Sequence, residues 1–287
     1  MIDDLFVQFE GAFAGNTIRA YRADFNRFSR WSCEEGIDPL DATPVDLAAY
    51  IKWRMHTSSS GSIERAVAGL GTIYRLSDRA DITKTSAVVL AMKSMYRQKG
   101  RAQRQAIPLT RDVLSALLGV CGADDRGLRD ALMLRLGYET MRRRSELCRF
   151  KFDDLEKLPN GRAALQLRFS KTDQLGRGKL IAISGDLLAL IEAWSGRTRG
   201  NGYLLRRISR EGDIGASLAP SSLNRRLQKL QALAGLELEG RLTGHSFRVG
   251  AALDLLEDGE SLAKIMLRGG WQAESTVIKY LRAWQAA

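Results

Sequence analysis

The feature that most constrains the fold is a change in hydrophobic pattern near residue 100. Before that point, apolar residues recur at the spacing of an α-helix, as in the stripe formed by Ile18, Tyr21 and Phe25. Beyond it, helical stripes alternate with short strand-like runs. Residues 97–105 lie between the two patterns and are polar, basic and without apolar periodicity. The sequence therefore predicts an all-helical first domain, a basic linker and a mixed second domain.

The first domain is predicted to consist of helices with clear starts. Thr43, Pro44 and Asp46 supply a capping side chain, a proline at the first helical position and an acid that can complete a capping box. A further helical stripe follows over residues 63–74. We place the helical domain at residues 1–98, the basic linker at 99–108 and the mixed domain at 109–287.

The second domain is predicted to be mostly helical with a small sheet. Residues 165–169 alternate apolar and polar side chains, and residues 180–183 are rich in strand formers. Two glycines in the segment between these runs favour a hairpin connection. Helical patterns occupy residues 113–121, 128–138, 186–195, 221–234, 246–257, 261–267 and 273–284. The fold class predicted for the whole chain is therefore mainly α with a small β-sheet.

The charge of the chain indicates a nucleic-acid partner. The 44 Lys and Arg residues against 33 Asp and Glu give a net charge of +11. About +3 of this lies in residues 1–105 and about +8 in the remainder. A clustered positive charge of this size attracts phosphate, so phosphate chemistry is expected in the second domain. The alternative interpretation is a generic basic surface.

Other features exclude several classes of protein. Three widely separated cysteines do not form a disulfide framework, and no apolar run is long enough to span a bilayer. The acidic first residues lack the layout of a signal peptide, so a cytoplasmic protein is expected. The chain has two histidines, no zinc-ligand spacing and no glycine-rich phosphate or dinucleotide loop. No metal or cofactor site is predicted.

Two segments carry cationic groups with an ordinary alternative explanation. In the run 141–147, Arg143 precedes Glu146 by three residues; on a helix this pair could be a surface ion pair on a solvated basic face. Lys171 follows the first strand on a hairpin, where a lysine is mobile and exposed by default. Neither segment alone indicates a function.

Two later segments are more informative. His245 and Arg248 lie three residues apart at the start of a helix that Thr243 or Ser246 could cap. Backbone N–H groups at such a start favour an anion, so phosphate binding is slightly preferred over a structural histidine. A double glycine then ends the next helix and precedes Trp271; Tyr280 follows in a helical stripe, where a tyrosine is by default part of the core.

Together these segments resemble the tyrosine recombinase (phage integrase) family. The order Arg, Lys, His-x-x-Arg, Trp, Tyr matches the pattern of that family, and the helical first part looks like its core-binding domain. The resemblance is specific from Arg143 to Tyr280 and weak in the first domain. It implies an N-terminal core-binding domain and a catalytic domain. It also implies the catalytic residues Arg143, Glu146, Lys171, His245, Arg248, Trp271 and Tyr280.

The resemblance also implies an activity. Tyr280 would attack a DNA phosphodiester to give a 3′-phosphotyrosyl intermediate, with no metal, ATP or other cofactor. The expected partner is double-stranded DNA with an inverted-repeat site, bound by a homodimer, with a homotetramer in synapsis. The chain departs from the family pattern in two places. Arg142 and Arg144 stand where apolar or small residues are usual, and only seven residues follow Tyr280, where relatives can continue into a helix that docks on a neighbouring subunit.

The residues that contact DNA are less clearly indicated. The helix at 221–234 has leucines on one face and polar side chains elsewhere, so it is a candidate for the major groove, with a solvated amphipathic helix as the equal alternative. The candidate DNA-binding residues are Arg65, Arg101, Arg104, Asn224, Arg225 and Lys229. Two other functions share part of this pattern: a type IB topoisomerase-like relaxase, and a non-catalytic DNA-binding protein on the same scaffold.

Overall fold

The structure is a computed structural model that describes residues 2–101, 105–159, 161–168 and 178–282, without the side chains at 2, 3, 279, 280 and 282. The chain divides into two compact units, Met1–Arg104 and Gln105–Ala287. The first unit contains the helices α1 (Ile2–Gln8), α2 (Gly15–Glu34), α3 (Pro44–Arg54), α4 (Ser60–Leu76) and α5 (Ser86–Lys99), and a short 3-10 turn at Ile82–Lys84.

The first unit is built around helix starts that the sequence specifies. Thr43 caps α3: the Asp46 amide donates to its hydroxyl at 3.3 Å, and the Thr43 amide donates to the Asp46 carboxylate at 2.8 Å. This is the predicted capping box, with Pro44 at the first helical position. The apolar faces of the helices meet in one core that includes Phe28 and Tyr50, which are nearly inaccessible to solvent. Helix α5 continues through Lys99, so the basic stretch of the sequence begins inside a helix.

The second unit combines helices with one antiparallel sheet. Its helices are α6 (Arg111–Gly119), α7 (Asp125–Thr140), α8 (Arg144–Leu147), α9 (Gly185–Thr198), α10 (Pro220–Leu233), α11 (Ser246–Glu257), α12 (Leu262–Gly269) and α13 (Glu274–Arg282). The strands β1 (Leu155–Lys157), β2 (Ala163–Leu167) and β3 (Lys179–Ile183) pair in the order β1-β2-β3. The central strand aligns Leu165 with Leu155 on one side and with Ile181 on the other.

The fold class predicted from the sequence, mainly α with a small β-sheet, is confirmed. The strand predicted at residues 165–169 is confirmed over 165–167, as part of β2, but its start was predicted too late, because β2 begins at Ala163; residue 169 lies outside the described residues. Ala163 and Ala164 are buried in the sheet, although alanine carries little strand signal. Strand β1 was not predicted because three residues are too few to show an alternating pattern. Among the described helices, none has the length and apolar character needed to cross a membrane.

Candidate active site

The run of three arginines lies at a turn between two helices. Helix α7 ends at Thr140, and Met141 takes a left-handed backbone conformation with φ 52°. Helix α8 begins only at Arg144. The interpretation that places the 141–147 run on a helix was therefore wrong for residues 141–143. Because Met141 ends α7 in this conformation, Arg142 and Arg143 lie in the turn between α7 and α8, and each arginine has a different environment.

Arg143 is held by a buried carboxylate. The Glu146 side chain accepts a hydrogen bond from Arg143 Nη1 at 3.0 Å and another from the Arg143 backbone N–H at 3.1 Å. The Glu146 side chain is 5% exposed and that of Arg143 is 28% exposed. The pair is therefore not a solvated surface pair. The buried acid fixes the arginine side chain while part of the guanidinium stays open to a ligand.

The neighbouring arginines have other environments. Arg142 is buried and donates through Nε to the Thr140 carbonyl at 2.7 Å and through Nη2 to the Arg268 carbonyl. Burial lowers the pKa of Arg142, with Glu146 acting in the opposite direction. Arg144 is exposed. Nothing in the sequence indicated that Arg142 would be buried, because an arginine is mostly found at the surface.

His245 lies at the N-terminus of α11, as predicted from the sequence. It occupies the capping position, but its side chain makes no capping hydrogen bond. Thr243 and Ser246, the two residues predicted to cap the helix, bond to each other: the Ser246 hydroxyl accepts a hydrogen bond from the Thr243 amide at 2.9 Å. Just before His245, the Gly244 amide donates to the Asn224 side chain of α10 at 2.9 Å. The turn that carries His245 is therefore tied to α10.

The surroundings of His245 disfavour its protonated form. Partial desolvation of the imidazole, followed by the positive charges of Arg248 and Arg143, holds the pKa of His245 below its ordinary value. The three groups share one region of the unit, because the Arg248 amide donates to the His245 carbonyl at 3.1 Å and the Arg248 side chain donates to the Met141 carbonyl, two residues before Arg143. A neutral imidazole can accept a proton at neutral pH.

Arg248 joins the two ends of this region. It is buried, and its Nη1 donates to the Met141 carbonyl at 2.5 Å and to the Gly269 carbonyl at 3.0 Å. Its guanidinium carbon lies 4.4 Å from the centroid of the Trp271 ring, within range of a cation–π contact. Arg248 thus links the arginine turn after α7 to the end of α12 and to Trp271.

The double glycine at the end of α12 admits this packing. A Cβ atom on Gly269 would lie 1.9 Å from the Trp271 ring, so the indole folds back against the Gly269 backbone. Gly270 has a φ of +69° and closes the helix in the left-handed conformation that glycine adopts without strain. The prediction that these glycines end the helix is confirmed.

The side chains of two predicted catalytic residues lie outside the described part of the structure. Lys171 lies outside the described residues. Tyr280 belongs to α13 by its backbone, while its side chain lies outside the described part of the structure. In the same helix Val277 and Leu281 are buried, which fixes α13 against the core formed with α11 and α12.

The candidate DNA-binding residues differ in environment. Arg225 and Lys229 are exposed on α10, whereas the predicted stripe of Leu223, Leu227 and Leu230 is buried. Asn224 is half-buried and engaged by Gly244, as described above. Arg65 forms a two-bond ion pair with Asp24 at 2.8 and 3.0 Å. Arg101 lies over the Tyr96 ring at 4.2 Å, and Arg104 lies outside the described residues.

The arrangement offers donors for an oxyanion. Arg143, His245, Arg248 and Trp271 come from three parts of the unit, the start of α8, the start of α11 and the turn after α12, and supply guanidinium, imidazole and indole groups. Such donors stabilise negative charge on the oxygens of a phosphate. Within the described residues, no group of three or more His, Cys, Asp or Glu side chains is placed to hold a metal ion.

The chain matches known proteins over almost all of its length. Residues 108–286 match the phage integrase family, and residues 4–79 match the N-terminal SAM-like domain of phage integrases. It is 29% identical over 280 residues to the integrase/recombinase XerD homolog of Selenomonas ruminantium, covering 93% of this chain and 82% of that protein. It is 26% identical over 297 residues to the recombinase Cre of Escherichia phage P1, covering 94% of this chain and 85% of that protein.

Solved structures agree in fold. A lambda integrase dimer bound to a COC′ core site superposes with a TM-score of 0.68 at 17% identity, covering 97% of this chain and 93% of that chain. The XerH site-specific recombinase in a post-cleavage complex with a palindromic difH substrate gives the same TM-score of 0.68 at 17% identity, covering 94% of this chain and 77% of that chain. With the matches over both units, the chain belongs to the phage integrase family and is a site-specific DNA recombinase of the tyrosine class.

Proposed function

We propose that the chain cleaves and rejoins duplex DNA at a specific site through a 3′-phosphotyrosyl intermediate formed by Tyr280. The observation that carries the proposal is geometric: Arg248, one helical turn after His245, bonds to the turn that carries Arg143 and lies over the Trp271 ring. A set of two guanidinium groups, an imidazole and an indole N–H suits the charge of a phosphodiester under attack. The helix that carries Tyr280 packs against α11, which carries Arg248, and against α12, which ends just before Trp271.

The proposed reaction exchanges one phosphate ester for another. The Tyr280 oxygen loses its proton and bonds to phosphorus, and the bond from phosphorus to the 5′ oxygen breaks. The 5′ oxygen takes up a proton and leaves as a hydroxyl group, while the phosphate stays on the 3′ oxygen. Rejoining reverses these steps with a 5′ hydroxyl as nucleophile. Because the phosphotyrosyl bond retains the ester energy, no ATP or metal ion is needed.

Each group has a proposed role. Arg143 and Arg248 hold the non-bridging oxygens, since a planar guanidinium remains charged throughout the reaction. Glu146 orients Arg143 from its buried position. Neutral His245 accepts a proton or donates a hydrogen bond, and the Trp271 indole N–H is a further donor. Lys171 is the proposed general acid for the leaving 5′ oxygen.

The proposed substrate is double-stranded DNA with an inverted-repeat site. One homodimer would fill one site, and two such sites would meet in a homotetramer. Two observations support this assembly: the net charge of +11, and the likeness in fold to lambda integrase, which has been seen as a dimer on a core site and as a tetramer on a Holliday junction. Arg225 and Lys229 on α10 are the exposed cations we propose for DNA contact.

Covalent trapping on DNA tests the proposal. The protein is incubated with sheared DNA from its host and quenched in denaturant, and the protein-linked ends are sequenced, with Tyr280→Phe as the matched control. We expect linked ends at one repeat-like sequence with the native chain, and none with a variant that still binds DNA. Ends scattered over the genome indicate a topoisomerase-like relaxase. Salt-sensitive binding with no linkage indicates a DNA-binding protein without catalysis.

A further inference from the structure

Two arginines join the same pair of helix ends. Arg142 bonds to the carbonyls of Thr140, at the end of α7, and of Arg268, at the end of α12. Arg248 donates to the carbonyls of Met141 and Gly269, each of which is one residue further along the chain. Carbonyl groups at helix C-termini lack intrahelical partners and carry partial negative charge, so they attract cations. The two guanidinium groups therefore form one clasp between α7 and α12, which we call the arginine clasp.

Arg142 lies directly against the double glycine. A Cβ atom on Gly270 would lie 2.7 Å from Arg142 Nη1, just as one on Gly269 would collide with the Trp271 ring. The two glycines thus admit a guanidinium at one position and an indole at the next. Because Gly269 and Gly270 are adjacent, a shift of the backbone at this pair would move both Arg142 and Trp271.

The presence of a charge at this buried position calls for a reason. Arg142 is 2% exposed, and its guanidinium bonds to backbone carbonyls in place of water. Burying a cation is costly, and an apolar side chain of similar length is often the more stable choice. The hydrogen bonds of Arg142 to two helix ends are what an apolar residue could not supply.

We infer that Arg142 is a positioning residue for DNA cleavage, which fixes the end of α12, and with it Trp271, against the turn that carries Arg143. This inference rests on the proposed function for its catalytic consequence. Arg142 acts through the backbone of α12 and through Trp271, and it does not contact the DNA itself. Loosening the clasp would move Trp271 and the chain that leads into α13 relative to Arg143 and Arg248.

Two measurements on the full-length chain test the inference. The first follows amide hydrogen exchange without DNA at Gly270 and Trp271, whose N–H groups both donate to the Met266 carbonyl. The second measures single-turnover cleavage at saturating protein on the site recovered by trapping, so that DNA affinity does not enter. The variants are Arg142→Met, Arg142→Lys and the matched control Arg144→Met, which removes the exposed neighbour.

We expect Arg142→Met to raise exchange at the two amides about tenfold and to slow cleavage by about 10- to 100-fold, with DNA affinity changed less than about threefold. Arg142→Lys retains the charge but cannot span both carbonyls, so it should lie between the native chain and Arg142→Met. It also keeps the test valid if Arg142→Met fails to fold. Arg144→Met should match the native chain in both measurements.

The outcomes separate the inference from the proposed function. Unchanged exchange in both Arg142 variants, or faster exchange with an unchanged cleavage rate, overturns the positioning role. Equal effects at Arg144 would also overturn it, because the clasp would then have no special role. If the native chain forms no covalent product, the proposed function fails. The exchange measurement then still decides whether Arg142 holds the end of α12.

Discussion

The support of Arg143 by a buried acid gives the sharpest prediction. Glu146 accepts from both the Nη1 and the backbone N–H of Arg143, at 3.0 and 3.1 Å. In Glu146→Gln, the side chain keeps its shape but can offer an oxygen to only one of these donors. Its NH₂ group then faces the other donor, and the negative charge opposite the guanidinium is lost. One charge-assisted hydrogen bond is worth about 1.5–3 kcal/mol when its partner is buried.

The expected loss in the free energy of unfolding is therefore about 2 kcal/mol. With Glu146 5% exposed and Arg143 28% exposed, solvent screening removes little of it. For a unit of this size, such a loss lowers Tm by about 4–8 °C. Because Arg143 loses its fixed geometry, we also expect cleavage to slow by about 10- to 100-fold at saturating protein.

The assay pairs thermal and urea unfolding with the cleavage measurement. Glu260→Gln is the matched control, because Glu260, two residues before α12, also pairs with a nearby cation, Lys264 in the first turn of that helix. The side chains of that pair are 30% and 65% exposed, so its loss should cost less than about 0.5 kcal/mol after screening. The reasoning is refuted if Glu146→Gln destabilises the protein no more than Glu260→Gln, or if it leaves the cleavage rate unchanged.

Three other substitutions probe the surroundings of the site. The lowered pKa of His245 means that the folded state resists protonation of the imidazole, so the free energy of unfolding should fall as the pH drops below about 6.5. In His245→Gln, this dependence of the free energy of unfolding on pH should be weaker, as measured by urea unfolding between about pH 7.5 and 5. Asn224→Ala should slow cleavage more than it weakens DNA binding, since it frees the turn before His245; a pure loss of affinity would contradict this. Gly269→Ala should displace Trp271 and lower the free energy of unfolding by about 1–3 kcal/mol. The control Gly185→Ala, where a methyl group meets open space, should lower Tm less than Gly269→Ala does.

Much of the fold could be predicted from local patterns. The capping box at Thr43, the leucine stripe of α10 and the double glycine after α12 all depend on neighbours within a few residues. Such signals act through backbone hydrogen bonds and side-chain spacing, which the sequence displays directly. Short or alanine-rich elements were misplaced or missed because their burial comes from packing and not from their own pattern.

The residue types of the candidate site could also be predicted, through the order of the motifs from Arg143 to Tyr280. Their environments could not. Three adjacent arginines are chemically identical in the sequence, yet one is buried in the arginine clasp, one is paired with Glu146 and one is exposed. Asn224 was a candidate for DNA contact and is engaged by Gly244.

The sequence by itself determined where most of the helices begin and end and which groups were available for phosphate chemistry. Only the tertiary structure decided which arginine faces which partner. The physical reason is that Met141 ends α7 in a left-handed conformation, and the Arg268 carbonyl that accepts a hydrogen bond from Arg142 lies 126 residues further along the chain. Hydrogen bonds across such a separation leave no periodic trace in the sequence, because they exist only when both helix ends have been brought together by packing.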